Sequence, residues 1–328
     1  MMYNKVCIVG AGAIGGWLGA GLARTGCEVS FLARGDTLAV LQAQGLTLQS
    51  STETAQMHKV RASNDAAKLG AQDLVIIAVK APALASVVKQ LAPLLGKHTV
   101  VLPAMNGVPW WFLHEFGGNY ANHALNSVDA DGSISQAISA AQVIGCVVHA
   151  SSSVATPGVI HHKFGNTVIL GELSGQLSPR LGALSDLFVQ AGFDAPVSAQ
   201  IQRDIWFKLW GNMTMNPVSA ITGATADLVL DDALVRNFCS AVMLEAKEIG
   251  ARLGIDISQE PEERHMVTRK LGAFKTSMLQ DVEAGKAVEL DALVGAVKEL
   301  GQLTQVETPY TDALLGLARL HARVRGLY

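Results

Sequence analysis

Eighteen consecutive uncharged residues, Val6 to Ala23, contain six glycines, and their spacing limits the folds open to this chain. Lys5-Val6-Cys7-Ile8-Val9 reads as a short buried strand, and a helical stretch runs on to about Arg24. Between them Gly10-Ala11-Gly12-Ala13-Ile14-Gly15 spells G-x-G-x-x-G. At a strand-to-helix junction the first glycine permits the tight turn and the second lets the backbone approach a pyrophosphate. The third lets the helix pack close to the sheet. The helix N-terminus adds partial positive charge for phosphate. Alone the pattern is weak evidence, but between a strand and a helix it is strong. A signal peptide or membrane anchor is disfavoured for this run. Each glycine costs a helix about 1 kcal/mol relative to alanine, and Lys5 is the only basic residue ahead of it.

Composition narrows the classes further. The 328 residues are 49% hydrophobic and 16% charged, which fits about two globular domains with large cores. Such an apolar chain is also compatible with a buried homodimer interface. A net charge of −3 leaves no electrostatic footprint for nucleic acid or an anionic membrane. Cys7, Cys27, Cys146 and Cys239 are widely spaced, with no C-x-x-C. Free thiols in a reducing cytoplasm are the expectation. His161-His162 has no third ligand at a sensible spacing, so no metal site is expected.

Strand and helix patterns alternate through the first half. Glu28–Leu32, Asp73–Val79 and His98–Leu102 read as parallel strands, the second apolar enough to be covered on both faces. Val143–Val148 and Asn166–Leu170 add β-rich runs, and Val159–His162, after Pro157-Gly158, reads as a hairpin partner of the latter. From about Gln200 helical periods take over, at Asp204–Trp210, Phe238–Leu253, Leu271–Val282, Glu289–Leu303 and Tyr310–Val324. The expected fold class is α/β, a doubly wound N-terminal sheet with an added, partly antiparallel portion, followed by an all-α C-terminal domain. The expected domains are residues 1–197 and 198–328.

The residue ending the second strand distinguishes the dinucleotides. An acid there bonds the ribose 2′-hydroxyl of NAD, whereas an arginine accommodates the 2′-phosphate of NADP. Neutral Ala33 followed by Arg34 favours NADPH. Asp36 is the rival if the strand runs further. Lys80 follows the central strand at the sheet edge where ligands bind, although a solvated lysine at a strand end fits equally well.

The chemistry is expected from the second half. Lys208, Asn212 and Asn216 are four apart and share one helix face. A polar solvent-facing stripe would have the same spacing. A catalytic reading also fits, since an ammonium can protonate a developing alkoxide and amides can orient a hydroxylated substrate. Pro217 disfavours continued helix and would leave Asn216 at a helix end. Asn106-Gly107, after a strand, is either plain turn chemistry or an amide beside nicotinamide or substrate. Ser277 lies in a stretch expected to close one helix, and Glu289 opens the next, where an acid is favoured by the helix dipole.

Taken in order, these segments resemble the ketopantoate reductase (2-dehydropantoate 2-reductase) family along essentially the whole chain. The resemblance is carried by the glycine pattern, Arg34, Val79-Lys80, Asn106-Gly107 and Pro157-Gly158. It continues through Trp206-x-Lys208-Leu209-x-x-Asn212-x-x-x-Asn216-Pro217, Ser277-Met278-x-Gln280-Asp281 and Glu289-x-Asp291. It implies a Rossmann-like NADPH-binding domain, then a helical catalytic domain, with cofactor and a 2-oxo acid in the cleft between them. The implied reaction, part of pantothenate biosynthesis, delivers hydride to the C2 carbonyl of ketopantoate. Lys208 becomes the general acid and Glu289 its substrate-side acidic partner. Asn106, Asn212, Asn216 and Ser277 become substrate contacts. Gly10, Ala11, Gly12, Ala13, Ile14, Gly15, Arg34, Lys80 and Asn106 face the cofactor.

The chain departs from the family pattern at Met105, where glutamine is frequent, and at Ala226, where an asparagine is frequent. The insert Pro109-Trp110-Trp111-Phe112 and the segment 129–149 also diverge. The departures bear on recognition of the substrate tail and leave the hydride chemistry intact. Two alternatives therefore stand beside ketopantoate: another small 2-oxo acid reduced by the same machinery, and a non-catalytic NADPH-sensing protein. The retained lysine, asparagines and Glu289 argue against the sensor.

Overall fold

The computed structural model describes residues 3–50 and 55–328. The chain divides into two compact units, one of residues 1–105 and 133–204, the other of residues 106–132 and 205–328.

Among the described residues the first unit holds nine strands in two sheets. β1 (Lys5–Val9), β2 (Glu28–Leu32), β5 (Arg61–Ser63), β6 (Gln72–Ile77) and β7 (Leu95–Pro103) form a parallel sheet in the order β5-β2-β1-β6-β7. β1 is central, and Val6, Ile8, Leu74 and Ile76 on one face and Cys7 and Val75 on the other are fully buried. That burial on both faces explains the near-continuous apolar runs. The Ala13–Ala23 helix follows β1 directly. β3 (Leu46–Ser50), β4 (Gln56–His58), β8 (Ile144–Thr156) and β9 (Val159–Glu172) form a second, mixed sheet in the order β4-β3-β9-β8.

The expected antiparallel addition is therefore a separate four-stranded sheet. Val159–His162 and Asn166–Leu170 do not pair with each other: both lie on β9, which pairs with β8 across the Pro157-Gly158 turn. Lys163, Phe164 and Gly165 join the two runs. All three are exposed, so the strand continues through them without a core to interrupt.

The second unit is helical. Ile201–Thr222 enters it at Ile205, followed by Ala226–Asp231, Ala233–Arg252, Pro261–Arg269, Ser277–Glu283, a π-helical turn at Asp291–Gly295 continuing as Ala296–Thr304, and Pro309–Val324. Two expectations are corrected. The first helix runs through Pro217, so Asn216 lies within it and not at its end. Val218, Ser219 and Ala220 are buried beyond the proline, and this packing outweighs the local bias against helix before proline. The helix expected over Leu271–Val282 forms only in its second half: the Pro261–Arg269 helix ends before Leu271, a non-helical stretch with Gly272 at φ +69° follows, and a separate helix begins at Ser277. The Thr276 hydroxyl caps that helix at the Leu279 N–H, 3.2 Å away.

Segment 106–132 enters the second unit through a cluster of aromatics. Trp110, Trp111 and Phe112 are buried, and the Phe112 ring lies 5.8 Å from that of Trp206. The insert that looked divergent in sequence is core. Among the described residues no helix is long and apolar enough to cross a membrane.

Candidate active site

Of the residues expected to face the dinucleotide, all but Asn106 lie in the first unit. Gly12 is the N-cap of the Ala13–Ala23 helix, whose first N–H groups have no intrahelical partner. A Cβ built on Gly12 would meet nothing within 4 Å, whereas one on Gly15 would collide with the Gly10 carbonyl oxygen. Gly15 is thus required by close packing, while Gly12 leaves open space at the positive end of a helix. That space and charge fit a pyrophosphate. β2 stops at Leu32, and Arg34, exposed, caps the Gly35–Gln44 helix. Asp36 falls in the first turn of that helix, beyond the strand end. Lys80 is half-buried and caps the Ala81–Val87 helix after β6.

The acid and amide residues all lie in the second unit. Two buried indoles fix the orientation of the Ile201–Thr222 helix. Trp206 donates to the Ala246 carbonyl at 3.2 Å and Trp210 to that of Met243 at 2.7 Å, both on the Ala233–Arg252 helix. With 206, 210 and 213 committed to the core, residues 208, 212 and 216 turn to another side. Lys208 and Asn212 are half-buried and Asn216 is buried. The Lys208 ammonium donates to Asn106 Oδ1 at 2.9 Å. The Asn216 amide nitrogen reaches Ser277 Oγ at a long 3.5 Å. Ser277 is exposed.

Asn106 is held by the residues that follow it. Gly107 adopts φ +85°, and a Cβ there would lie 2.5 Å from the Ala292 carbonyl oxygen. Val108 N–H donates to that same oxygen at 2.8 Å. Asn106 is thereby stitched to the helix that Glu289 opens, and half-buried Glu289 sits between the buried side chains of Val288 and Leu290. The π-helical turn begins two residues on; such turns are common at functional sites. Sequence reasoning missed the Ala292 clamp, the π turn and the contacts of Tyr328 described below. Of these, only Gly107 carried a local signal, since an Asn-Gly pair marks a left-handed turn. Among the described residues no cluster of His, Cys, Asp or Glu could hold a metal.

A parallel sheet with an open glycine cradle, together with a helical unit presenting a lysine and amides, defines the class: a nicotinamide-dinucleotide-dependent reductase. Comparison with known proteins agrees. Residues 6–109 match the ketopantoate reductase PanE/ApbA model, and residues 200–322 match the model of that family's C-terminal region. The chain is 46% identical over 325 residues to the 2-dehydropantoate 2-reductase of Mesorhizobium japonicum, covering 99% of each chain. A crystal structure from Ralstonia solanacearum MolK2, assigned as a candidate ketopantoate reductase, superposes with TM-score 0.96 at 55% identity and covers 100% of both chains. D-mandelate dehydrogenase, solved with NADH, shares the fold at TM-score 0.80 and 23% identity, covering 99% of this chain and 100% of its own. This protein belongs to the ketopantoate reductase PanE/ApbA family.

Proposed function

We propose that the protein reduces 2-dehydropantoate (ketopantoate) to pantoate with NADPH. The observation that carries the reading is the Lys208–Asn106 hydrogen bond of 2.9 Å, on the helix face that also bears Asn212 and Asn216. Arg34 supports the choice of NADPH, since β2 ends at Leu32 and Asp36 is a helix residue. Guanidinium matches the charge and planar geometry of a 2′-phosphate. When bound, NADPH supplies a hydride to the carbonyl carbon at C2 and leaves as NADP⁺.

The remaining steps belong to the chain's own side chains. Asn106 Oδ1 accepts a hydrogen bond from the Lys208 ammonium, which holds Nζ in place as the carrier of the acidic protons. One proton passes to the C2 oxyanion, giving the alcohol and a neutral amine that solvent reprotonates. Glu289 and the amides of Asn212 and Asn216 orient the hydroxyl and carboxylate ends of the substrate, with Ser277 beside them. The first unit is the cofactor-binding domain and the second the catalytic domain. The four cysteines are free thiols, in keeping with a cytoplasmic enzyme.

The test is NADPH oxidation by the purified protein with ketopantoate and with simpler 2-oxo acids. Lys208→Ala should lower kcat by about 10²–10⁴-fold, the span for losing a general acid. Turnover close to wild type in that variant would remove Lys208 from the reaction. A second reading rests on Ala226, fully buried and apolar at the position where the family resemblance leads to the expectation of an asparagine. On that reading another small branched 2-oxo acid is preferred, and ketopantoate would perform no better than its analogues.

A further inference from the structure

The segment around Glu289 is fastened at both ends by residues far along the chain. After the Pro309–Val324 helix a turn at Arg325-Gly326 reverses the backbone, and Leu327 N–H donates to the Ala322 carbonyl at 2.9 Å. Leu327 is buried, and its carbonyl accepts from Val288 N–H at 3.1 Å, one residue before Glu289. The Tyr328 hydroxyl donates to Asp291 Oδ1 at 2.8 Å, two residues after Glu289. The Arg323 guanidinium lies over the Tyr328 ring at 5.3 Å and restrains it. Asp291 is also the first residue of the π-helical turn, and the next residue, Ala292, receives the Val108 N–H that fixes the Asn106 loop.

We propose that Tyr328, acting through Asp291 and beside the Leu327–Val288 bond, is a positioning residue for Glu289. It touches neither substrate nor cofactor in this role. It sets the register and the opening direction of the helical stretch that begins immediately after Glu289. Burial and the bond to the Asp291 carboxylate push the Tyr328 phenol above its usual range, so it remains a donor throughout neutral pH. π turns are rare and seldom extend beyond a single turn, so the first residue of this one gains from an external hold. The inference rests on the assignment of Glu289 to the substrate.

The experiment is steady-state kinetics with ketopantoate at saturating NADPH on the full chain carrying Tyr328→Phe, Asp291→Ala, Asp291→Asn, Glu289→Gln and the pair Tyr328→Phe/Glu289→Gln. Tyr328→Phe and Asp291→Ala should each lower kcat/KM about tenfold, short of the hundredfold that a misplacement of about 1 Å costs. Asp291→Asn keeps an acceptor at Oδ1 and should recover much of the loss. In the Glu289→Gln background the Tyr328→Phe change should have little further effect, because residues acting as a unit are not additive. A purely structural role would give the same loss in both backgrounds, and that result overturns the proposal. So does wild-type behaviour of Tyr328→Phe when Glu289→Gln is impaired. If Glu289→Gln itself behaves as wild type, the assignment of Glu289 fails and the proposal falls with it. Circular dichroism of each variant separates kinetic loss from unfolding.

Discussion

Replacing Gly107 with alanine should damage catalysis more than folding, and the size of each effect can be worked from the structure. The added Cβ would stand 2.5 Å from the Ala292 carbonyl oxygen, where ordinary contact begins at 3.4 Å, so one backbone must move by about 0.9 Å. Neither neighbour is the end of a flexible side chain, and the Val108–Ala292 hydrogen bond ties the two together. The motion therefore passes to Asn106, which holds the Lys208 ammonium. A shift near 1 Å costs about a hundredfold in rate, so kcat/KM should fall by about two orders of magnitude. Stability should also fall, by about 1–2 kcal/mol for the left-handed backbone and about 1–3 kcal/mol for overpacking. Gly254→Ala supplies the control. That residue has φ +81° with nothing within 4 Å of its would-be Cβ, so it bears the conformational cost without a displacement. The assay pairs thermal melts with kcat/KM measured well below both melting temperatures. A folded Gly107→Ala protein with wild-type kcat/KM would refute the claim that this loop positions the acid.

Two further outcomes are expected. Arg34→Ala should weaken NADPH by about 1.5–3 kcal/mol, the worth of a hydrogen bond to a charged group, and leave NADH nearly unchanged; equal losses measured by fluorescence titration would move ribose recognition elsewhere. The His265 imidazole, 2% exposed and bonded to the Ser240 hydroxyl at 2.9 Å, is held below its usual range by burial. The unfolded chain then binds the proton first, so stability is full above about pH 6.5 and declines as pH falls from there toward the lower native value. Denaturant melts at several pH values should show a shallower acid loss in a folded His265→Gln variant, and parallel curves would exclude His265 as a source.

Where structure is set by neighbours in sequence, it was readable. β1, the glycine turn and β2 have the expected bounds because alternation between apolar runs and glycines is local chemistry. Pro217 misled because its bias, also local, is outweighed by the burial of residues 218–220. The break before Ser277 had a signal in Gly272 and the capping Thr276, and the apolar period around it hid both. The site was legible as a set of residue types in order. Its assembly was not, because Asn106 meets Lys208 across 102 positions and Tyr328 meets Asp291 across 37. No periodicity encodes such meetings; packing of the buried Trp110–Leu113 segment against its own unit does.

The path of the chain has a practical corollary for recombination. Because 106–132 departs from the early stretch to join the later one, a hybrid spliced once near residue 200 inherits its ammonium donor from one parent and the amide that steadies it from the other. Faithful exchange of the helical half requires two inserts, and libraries of chimeras should survive in proportion to how often both travel together.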